Sequence, residues 1–221
     1  MSGTEIKICC ISSHHEARLA IDAGADILGL VSAMPSGPGV IDETLIASIA
    51  AWIAASVTAQ TFLLTSLCEP EAIIAQHRRC GTTAIQLCDA LPPNSLPRLR
   101  EALPGVRLVQ VVHVTGDGSY GQAISAARDV DALLLDSGNP ALRVKELGGT
   151  GRIHDWTISR RICADAGVPV FLAGGLRPEN VGEALAITGA TGVDICNGVR
   201  SDGQLDAAKL AAFVAAVRRA G

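Results

Sequence analysis

Two side chains in this sequence combine a group that can transfer protons with a position at the end of a buried strand. Asp136 closes the apolar run Ala132–Asp136, and Cys9 lies in the β-type run of residues 6–11. An apolar run without alternation is typical of a strand covered on both faces, so its last residue lies where the chain leaves the core. A carboxyl group and a thiol in such positions could act as general acid and general base.

Glycine-rich segments follow the last three predicted strands and could bind an anion. Backbone N–H groups without a neighbouring side chain can approach a phosphate closely. The segment after Asp136 is also long and lacks a helical or strand period, which is more typical of a binding loop than of a simple connection. We therefore predict a phosphate site formed by Gly149, Thr150, Gly151, Gly174, Gly175, Asn197 and Gly198.

Other polar side chains at strand ends are candidate walls of the same pocket. Gln86 and Cys88 lie at the end of the fourth predicted strand, and His113 ends the fifth. A histidine at a strand end can line a site, although it more often forms a hydrogen bond at the rim without a catalytic role. We expect these three residues to shape a substrate pocket.

Eight units of a strand followed by a helix position these residues, with a repeat of roughly 27 residues, short for a barrel of this kind. Short connections and buried-type strands predict one α/β domain over residues 1–221, a closed (β/α)8 TIM barrel with parallel strands. A doubly wound open sheet is the alternative, but the first and last strands lack the features of exposed edges. The predicted strands are residues 6–11, 27–31, 61–64, 83–87, 108–113, 132–136, 168–173 and 192–196.

A barrel would bring the candidate residues together. Ligands meet such barrels at the C-terminal ends of the strands. Cys9 on the first strand and Asp136 on the sixth would then lie on opposite sides of one mouth. Polar residues are predicted to cap helices that follow the strands, among them Ser12-Ser13, Asp42 and Asp155.

Composition excludes several classes of protein. The net charge of −4 and the absence of a Lys/Arg cluster argue against nucleic-acid binding. Seven cysteines, an odd number without CxxC spacing, favour reduced thiols in a cytoplasmic protein over disulfides or a metal site. The apolar runs are too short to span a membrane. We expect a soluble cytoplasmic protein with a small-molecule ligand, no metal and no membrane partner.

Many short motifs, in unbroken order from residue 6 to about residue 217, resemble the phosphoribosylanthranilate isomerase family of tryptophan biosynthesis. They are KIC (7–9), AGAD (23–26) with LG (28–29), QL (86–87), LLLDS (133–137), GGTG (148–151) with DW (155–156), LAGGL (172–176) with PENV (178–181), and VD (193–194) with GV (198–199).

This resemblance implies a cofactor-free Amadori rearrangement, in which an aminoaldose phosphate becomes an aminoketose phosphate. Asp136 would be the general acid that opens the ribose ring to a Schiff base. Cys9 would be the general base that removes the C2 proton. A positive environment, either Lys7 or the iminium of the bound substrate, could favour its thiolate. The partner would be a phosphorylated aminosugar, and the protein would be a monomer or a homodimer.

The sequence departs from the family pattern at several positions. Cys10 replaces the usual glycine after the catalytic cysteine, and Pro38 lies where the family has an arginine for the anthranilate carboxylate. Arg143 or Arg200 could supply the missing cation. Two alternatives therefore stay open: a paralogous isomerase for a different N-substituted aminosugar phosphate, and a non-catalytic barrel that binds a sugar phosphate. Further departures are Cys88, Asn197 and Arg200.

Overall fold

Eight parallel strands close into a barrel in the order of the sequence, which confirms the predicted fold class. The computed structural model describes residues 3–56 and 59–221. The strands are β1 (Glu5–Ile8), β2 (Ile27–Val31), β3 (Gln60–Thr65), β4 (Ala84–Leu87), β5 (Arg107–His113), β6 (Ala132–Asp136), β7 (Val170–Leu172) and β8 (Gly192–Ile195). The helices are α1 (His14–Asp22), α2 (Glu43–Ser56), α3 (Pro70–Cys80), α4 (Ser95–Ala102), α5 (Gly118–Ala126), α6 (Trp156–Asp165), α7 (Val181–Thr188) and α8 (Ala207–Ala220).

The pairing of β1 closes the barrel. Lys7 is in register with Ile27 of β2 on one side and with Asp194 of β8 on the other. Neither the first nor the last strand is therefore an edge, and the charged residues Lys7 and Asp194 on them are buried and paired with each other instead of protecting an exposed edge. The open-sheet alternative is wrong.

Helix starts follow the predicted caps because short polar side chains accept hydrogen bonds from the first free N–H groups. Ser13 accepts from Glu16 N, and Asp155 accepts from Thr157 N. Asp42 accepts from Leu45 N at 2.8 Å. β2 and β6 have the predicted bounds, whereas β7 is shorter than predicted because only its central residues pair with both neighbours.

Alternation along β1 places its side chains in two separate layers. Ile6 and Ile8 pack in the shell between strands and helices. Cys9 packs in the barrel interior with Phe62 and Phe171, and the Nζ atom of Lys7 lies 6.0 Å from the centre of the Phe62 ring. The period of two in a strand therefore directs Lys7 and Cys9 into the barrel.

A short hairpin after β8 was not predicted. A 3₁₀ turn at Asn197–Val199 leads into β9 (Arg200–Ser201) and β10 (Gln204–Leu205), and α8 follows. The turn residues Asp202 and Gly203 have φ angles of 51° and 79°, the left-handed pair that a two-residue hairpin requires. An Asp-Gly pair is the sequence signal for this turn. None of the helices within the described residues is both long enough and apolar enough to cross a membrane.

Candidate active site

A cavity of about 660 Å³ opens at the C-terminal end of the barrel, where the loops after the strands meet. Both residues predicted to transfer protons line it, and the predicted glycine-rich segments form one side of its wall. Gln86 and Cys88 lie deeper in the wall. The predicted residues that the cavity brings together are Cys9, Gln86, Cys88, Asp136, Gly149, Thr150, Gly151, Gly174, Gly175, Asn197 and Gly198.

Glycines surround the carboxyl group of Asp136 closely. One oxygen, Oδ1, accepts a hydrogen bond from Ser137 N at 2.7 Å. A methyl group added at Gly148 would lie 2.9 Å from Oδ2, and one added at Gly174 would lie 3.2 Å from Oδ1. Only glycine at these two positions leaves the carboxyl group open to the cavity.

Cys9 continues the pairing of β1 beyond the end of the strand. Its N–H donates to Ile195 O at 2.8 Å, so its backbone position is fixed against β8. The side chain is 6% exposed, and the exposed part lies in the cavity wall. The thiol is therefore held at a defined place opposite the strand that carries Asp136.

Cys10 has the backbone conformation that normally requires glycine. Its φ angle is 63°, in the left-handed region where a Cβ atom is strained. Gly39 accommodates the extra side chain, since a methyl group there would lie 2.9 Å from Cys10 Cα and 3.1 Å from Cys10 Sγ. Hydrogen bonding to Cys196 raises the pKa of the Cys10 thiol, and the same contact lowers that of Cys196.

The loop after β7 presents bare backbone to the cavity. Gly174 and Gly175 have φ angles of 82° and 64°, so both are in the left-handed region. Among the residues described, neither of their N–H groups donates to another part of the protein. Two adjacent free N–H groups without side chains are a suitable site for an anionic oxygen.

The loop after β6 covers the mouth and is fixed at several points. The Asn197 side-chain amide donates to Gly149 O at 3.0 Å, which joins this loop to the one after β8. The hydroxyls of Ser137 and Thr150 are hydrogen-bonded at 2.7 Å. Ser36 from the loop after β2 donates to Lys145 O at 2.6 Å. Hydrogen bonds therefore connect the loops that border the cavity to one another.

The opposite side of the cavity is apolar. Val31, Met34 and Leu64, from β2, its following loop and β3, line it together with Leu147. Below them, burial raises the pKa of the Cys88 thiol well above its usual range, so this sulfur stays protonated. This half of the cavity suits a ring or an aliphatic group.

Three residues predicted to belong to the pocket lie outside its wall. His113 is buried behind it, where its Nε2 donates to Cys88 O at 3.2 Å because a carbonyl only accepts. Arg143 is exposed on the loop after β6. Arg200 borders a second, smaller cavity of about 430 Å³. The cations that line the main cavity, among the described residues, are Arg152 and Arg177 beside the glycine loops.

Arg200 is held by Glu16 in a bidentate ion pair. Its two terminal nitrogens lie 2.7 and 2.9 Å from the two carboxylate oxygens, and both side chains are only 8% exposed. Burial alone would raise the pKa of Glu16, but Arg200 and the N–H groups of Ser12 and Leu205 lower it to about 2. Arg200 also donates to Cys10 O. This arginine therefore fixes loops and is not free to bind a ligand.

The sequence interpretation missed Asp194, which lines the bottom of the cavity. Its Oδ1 accepts from Lys7 Nζ at 2.9 Å, and Lys7 is fully buried. The sequence does contain an indication of this pair, because a single charged residue interrupts each of two apolar runs. Lys7 lies between Ile6 and Ile8, and Asp194 lies between Val193 and Ile195. Charges inside apolar strands are buried only when they are paired.

A closed barrel with a carboxyl group, a thiol and glycine-rich loops around a C-terminal cavity defines the class of (β/α)8-barrel enzymes. No group of three or more His, Cys, Asp or Glu residues in the described ranges could hold a metal ion. The sequence profile of N-(5'phosphoribosyl)anthranilate (PRA) isomerase matches residues 6–216, and the chain belongs to this family, the isomerases of tryptophan biosynthesis.

Individual relatives agree with this assignment along nearly the whole chain. N-(5'-phosphoribosyl)anthranilate isomerase 2 of Methanosarcina mazei is 35% identical over 211 residues, which are 95% of this chain and 92% of that protein. The crystal structure of phosphoribosyl anthranilate isomerase from Thermus thermophilus has a TM-score of 0.80 and 25% identity, and covers 96% of this chain and 98% of that one.

A further solved structure contains a ligand. It is a phosphoribosyl anthranilate isomerase in complex with reduced 1-(o-carboxyphenylamino)-1-deoxyribulose 5-phosphate. At 22% identity and a TM-score of 0.78, with 98% of this chain and 99% of that chain covered, the likeness concerns the fold.

Proposed function

We propose that this protein converts N-(5-phosphoribosyl)anthranilate into 1-(2-carboxyphenylamino)-1-deoxyribulose 5-phosphate by an Amadori rearrangement. A single cavity contains Asp136 and Cys9, with glycine-rich loops at one side and an apolar wall at the other. The substrate has a phosphate at one end and an aromatic ring at the other. A relative with a bound reduced form of the product supports this class of ligand.

Asp136 starts the reaction as the general acid. In its protonated form it donates a proton to the ring oxygen of the ribose, and the C1–O bond breaks to give a protonated Schiff base. The carboxyl group is suited to this step because glycines keep its surroundings clear while Ser137 N holds Oδ1 at 2.7 Å. A positioned acid of this kind contributes roughly 10²- to 10⁴-fold to the rate.

Cys9 completes the rearrangement as the general base. Its thiolate removes the proton from C2, and the electron pair moves toward the iminium nitrogen to give an enolamine. The enolamine gains a proton at C1 and loses the proton of the C2 hydroxyl, which gives the ketone. The substrate supplies every heavy atom of the product, so this step needs no further reactant.

The glycine loops hold the phosphate while these steps occur. The N–H groups of Gly174 and Gly175 are free within the described chain. Arg177 follows on the same loop and lines the cavity, where it adds a positive charge. Fixing the phosphate restricts where C1 and C2 can lie relative to the acid and the base.

Complementation tests the proposal directly. The gene should restore growth of a tryptophan auxotroph that lacks this step, and purified protein should consume the fluorescence of phosphoribosylanthranilate. Asp136→Asn and Cys9→Ala should each reduce turnover by more than about 10³-fold while circular dichroism shows an unchanged fold. Absence of both growth and fluorescence loss contradicts the proposal, and activity in both variants would contradict the assigned residues.

A second candidate is an isomerase for a substrate whose N-substituent lacks a carboxylate. The observation that favours it is the apolar wall of Val31, Met34 and Leu64, together with the position of Arg200 outside this cavity. Two reduced aminoketose phosphates, with and without a carboxylate on the ring, should be compared by calorimetry. Tighter binding of the carboxylate form supports anthranilate. Binding without any turnover would indicate a non-catalytic barrel.

A further inference from the structure

An ion pair buried beneath the cavity takes no part in the proposed steps. Lys7 is fully buried, and its Nζ donates to Asp194 Oδ1 at 2.9 Å across the junction of β1 and β8. Removing two charges from water is costly, and a buried pair often contributes less to stability than apolar residues of the same size. A role beyond stability would explain why charges lie here.

Gly29 on β2 lies next to both Lys7 and Cys9. A methyl group added at Gly29 on β2 would lie 3.0 Å from both Lys7 Nζ and Cys9 Sγ. The two atoms are therefore separated by at most twice that distance. Any larger residue at this position would place a side chain in the space that borders both groups.

The lysine carries its charge in this position. Burial by itself would lower the pKa of Lys7, but the Asp194 carboxylate and a thiolate at Cys9 hold it above its usual range. Burial raises the pKa of Asp194, and Lys7 opposes that effect. Three further titratable groups interact electrostatically with Lys7, Cys9 or Asp194. They are Cys10 on the loop after β1, Cys88 after β4 and Asp136 at the end of β6.

We propose that Lys7, held in place by Asp194, is a positioning residue that stabilises the thiolate form of Cys9, and that Gly29 leaves the space for this interaction. This inference rests on the proposed role of Cys9 as the general base. Lys7 does not line the cavity. It acts through the electrostatic attraction between its ammonium group and the sulfur, which water screens little because Lys7 is fully buried.

The test replaces both charges together, so that no unpaired charge remains buried. In the double variant Lys7→Met with Asp194→Asn, we expect the pH at half-maximal alkylation of Cys9 by iodoacetamide to rise by about one unit. The alkylation rate at pH 7 should fall about tenfold, because a rise of one pH unit in the midpoint lowers the thiolate fraction below that midpoint about tenfold. Mass spectrometry with fragmentation assigns the adduct to Cys9 and not to Cys10.

Kinetics provides a second readout. In the same variant kcat/KM at pH 7 should fall about tenfold, and it should return toward the wild-type value at higher pH, with KM little changed. A purely structural ion pair would lower the folded fraction at every pH and would leave the profile unshifted. An unshifted alkylation profile in a folded double variant overturns the inference.

Gly29→Ala covers the case in which the double variant does not fold. It keeps both charges but places a methyl group against Nζ and Sγ, so alkylation at pH 7 should slow in the same direction. Unchanged alkylation in this variant, if the double variant is unfolded, also counts against the inference. The alkylation assay needs no substrate. It therefore still tests Lys7 if the proposed isomerase reaction fails, and the two failures are distinguishable.

Discussion

The rim above β6, β7 and β8 differs in chemistry from the rim above β2 and β3. The first consists of glycine loops, in which the N–H groups of Gly174 and Gly175 have no partner among the described residues, and the ion pair of Glu16 with Arg200 joins the segment after β8 to α1. The second consists of apolar side chains such as Val31 and Leu64. A ligand group on the first rim is bound by directional hydrogen bonds and by charge, whereas a ligand group on the second rim is bound by burial of apolar surface.

This difference predicts different responses to mutation and to pH. Changes on the polar rim should depend on pH or on small displacements of backbone, because hydrogen bonds and charges have strict geometry. Changes on the apolar rim should scale with the volume removed and should be insensitive to pH.

Glu16→Gln should have the largest effect on stability, because it leaves Arg200 buried without its counter-charge. We expect a loss of about 3 kcal/mol in the free energy of unfolding at pH 7, a magnitude typical of breaking a buried ion pair. Urea unfolding followed by circular dichroism measures it. Glu71→Gln is the control, since Glu71 and Arg98 form an exposed pair and the free energy of unfolding should not change.

The pH dependence of this pair has a defined sign. Because the folded pKa of Glu16 lies near 2, below its ordinary value of 4.5, its contribution is present above pH 4.5 and is lost as pH falls toward 2. The difference between wild type and Glu16→Gln should therefore stay constant from pH 7 to about pH 5 and shrink below it. A difference that grows on acidification would contradict this assignment.

Gly174→Ala should impair phosphate binding. The new methyl group would lie 2.9 Å from Ser137 Oγ and 3.0 Å from Arg152 O, at a φ angle of 82°. We expect kcat/KM to fall about 30-fold, or about 2 kcal/mol, and inhibition by inorganic phosphate to weaken. Gly167→Ala has the same kind of backbone strain at a φ angle of 69° but meets nothing within 4 Å. It should lose stability and keep activity.

Most of the fold could be predicted because local patterns determine it. The apolar runs of β2 and β6 gave correct bounds, and caps such as Ser13 marked helix starts. The hairpin of β9 and β10 was missed although Asp202 and Gly203 carry its turn signal. Two-residue strands are too short for periodicity to reveal, so only the turn chemistry could have indicated them.

The site was predictable where it depends on strand ends and unpredictable where it depends on long-range pairing. Cys9 and Asp136 follow from position in a strand, and the structure brings them into one cavity. The partner of Arg200 is Glu16, far away in sequence, and no local pattern reveals that this pairing removes the arginine from the pocket. The pairing of Lys7 with Asp194 is equally non-local.

Leu64→Ala tests the apolar rim. Leu64 is 7% exposed and lines the cavity, so its loss should lower kcat/KM about tenfold, or about 1.4 kcal/mol, at every pH. Inhibition by inorganic phosphate should not change, in contrast to Gly174→Ala. Leu63→Ala is the control, because Leu63 is fully buried on the same strand but packs toward the helices. If the control lowers kcat/KM as much, lost stability and not ligand contact is the cause.

Cys10 lies where the two rims meet, since its side chain approaches Gly39 from one rim and Cys196 from the other. At most buried positions alanine gives a more stable protein than glycine, because glycine loses more entropy on folding. At a φ angle of 63° the order should be reversed. Cys10→Gly should be more stable than Cys10→Ala by about 1 kcal/mol, the strain of a Cβ atom in the left-handed region. Guanidinium unfolding of the two variants measures this difference. If the alanine variant is the more stable, contacts with Gly39 and Cys196, and not backbone conformation, determine the preference at this position.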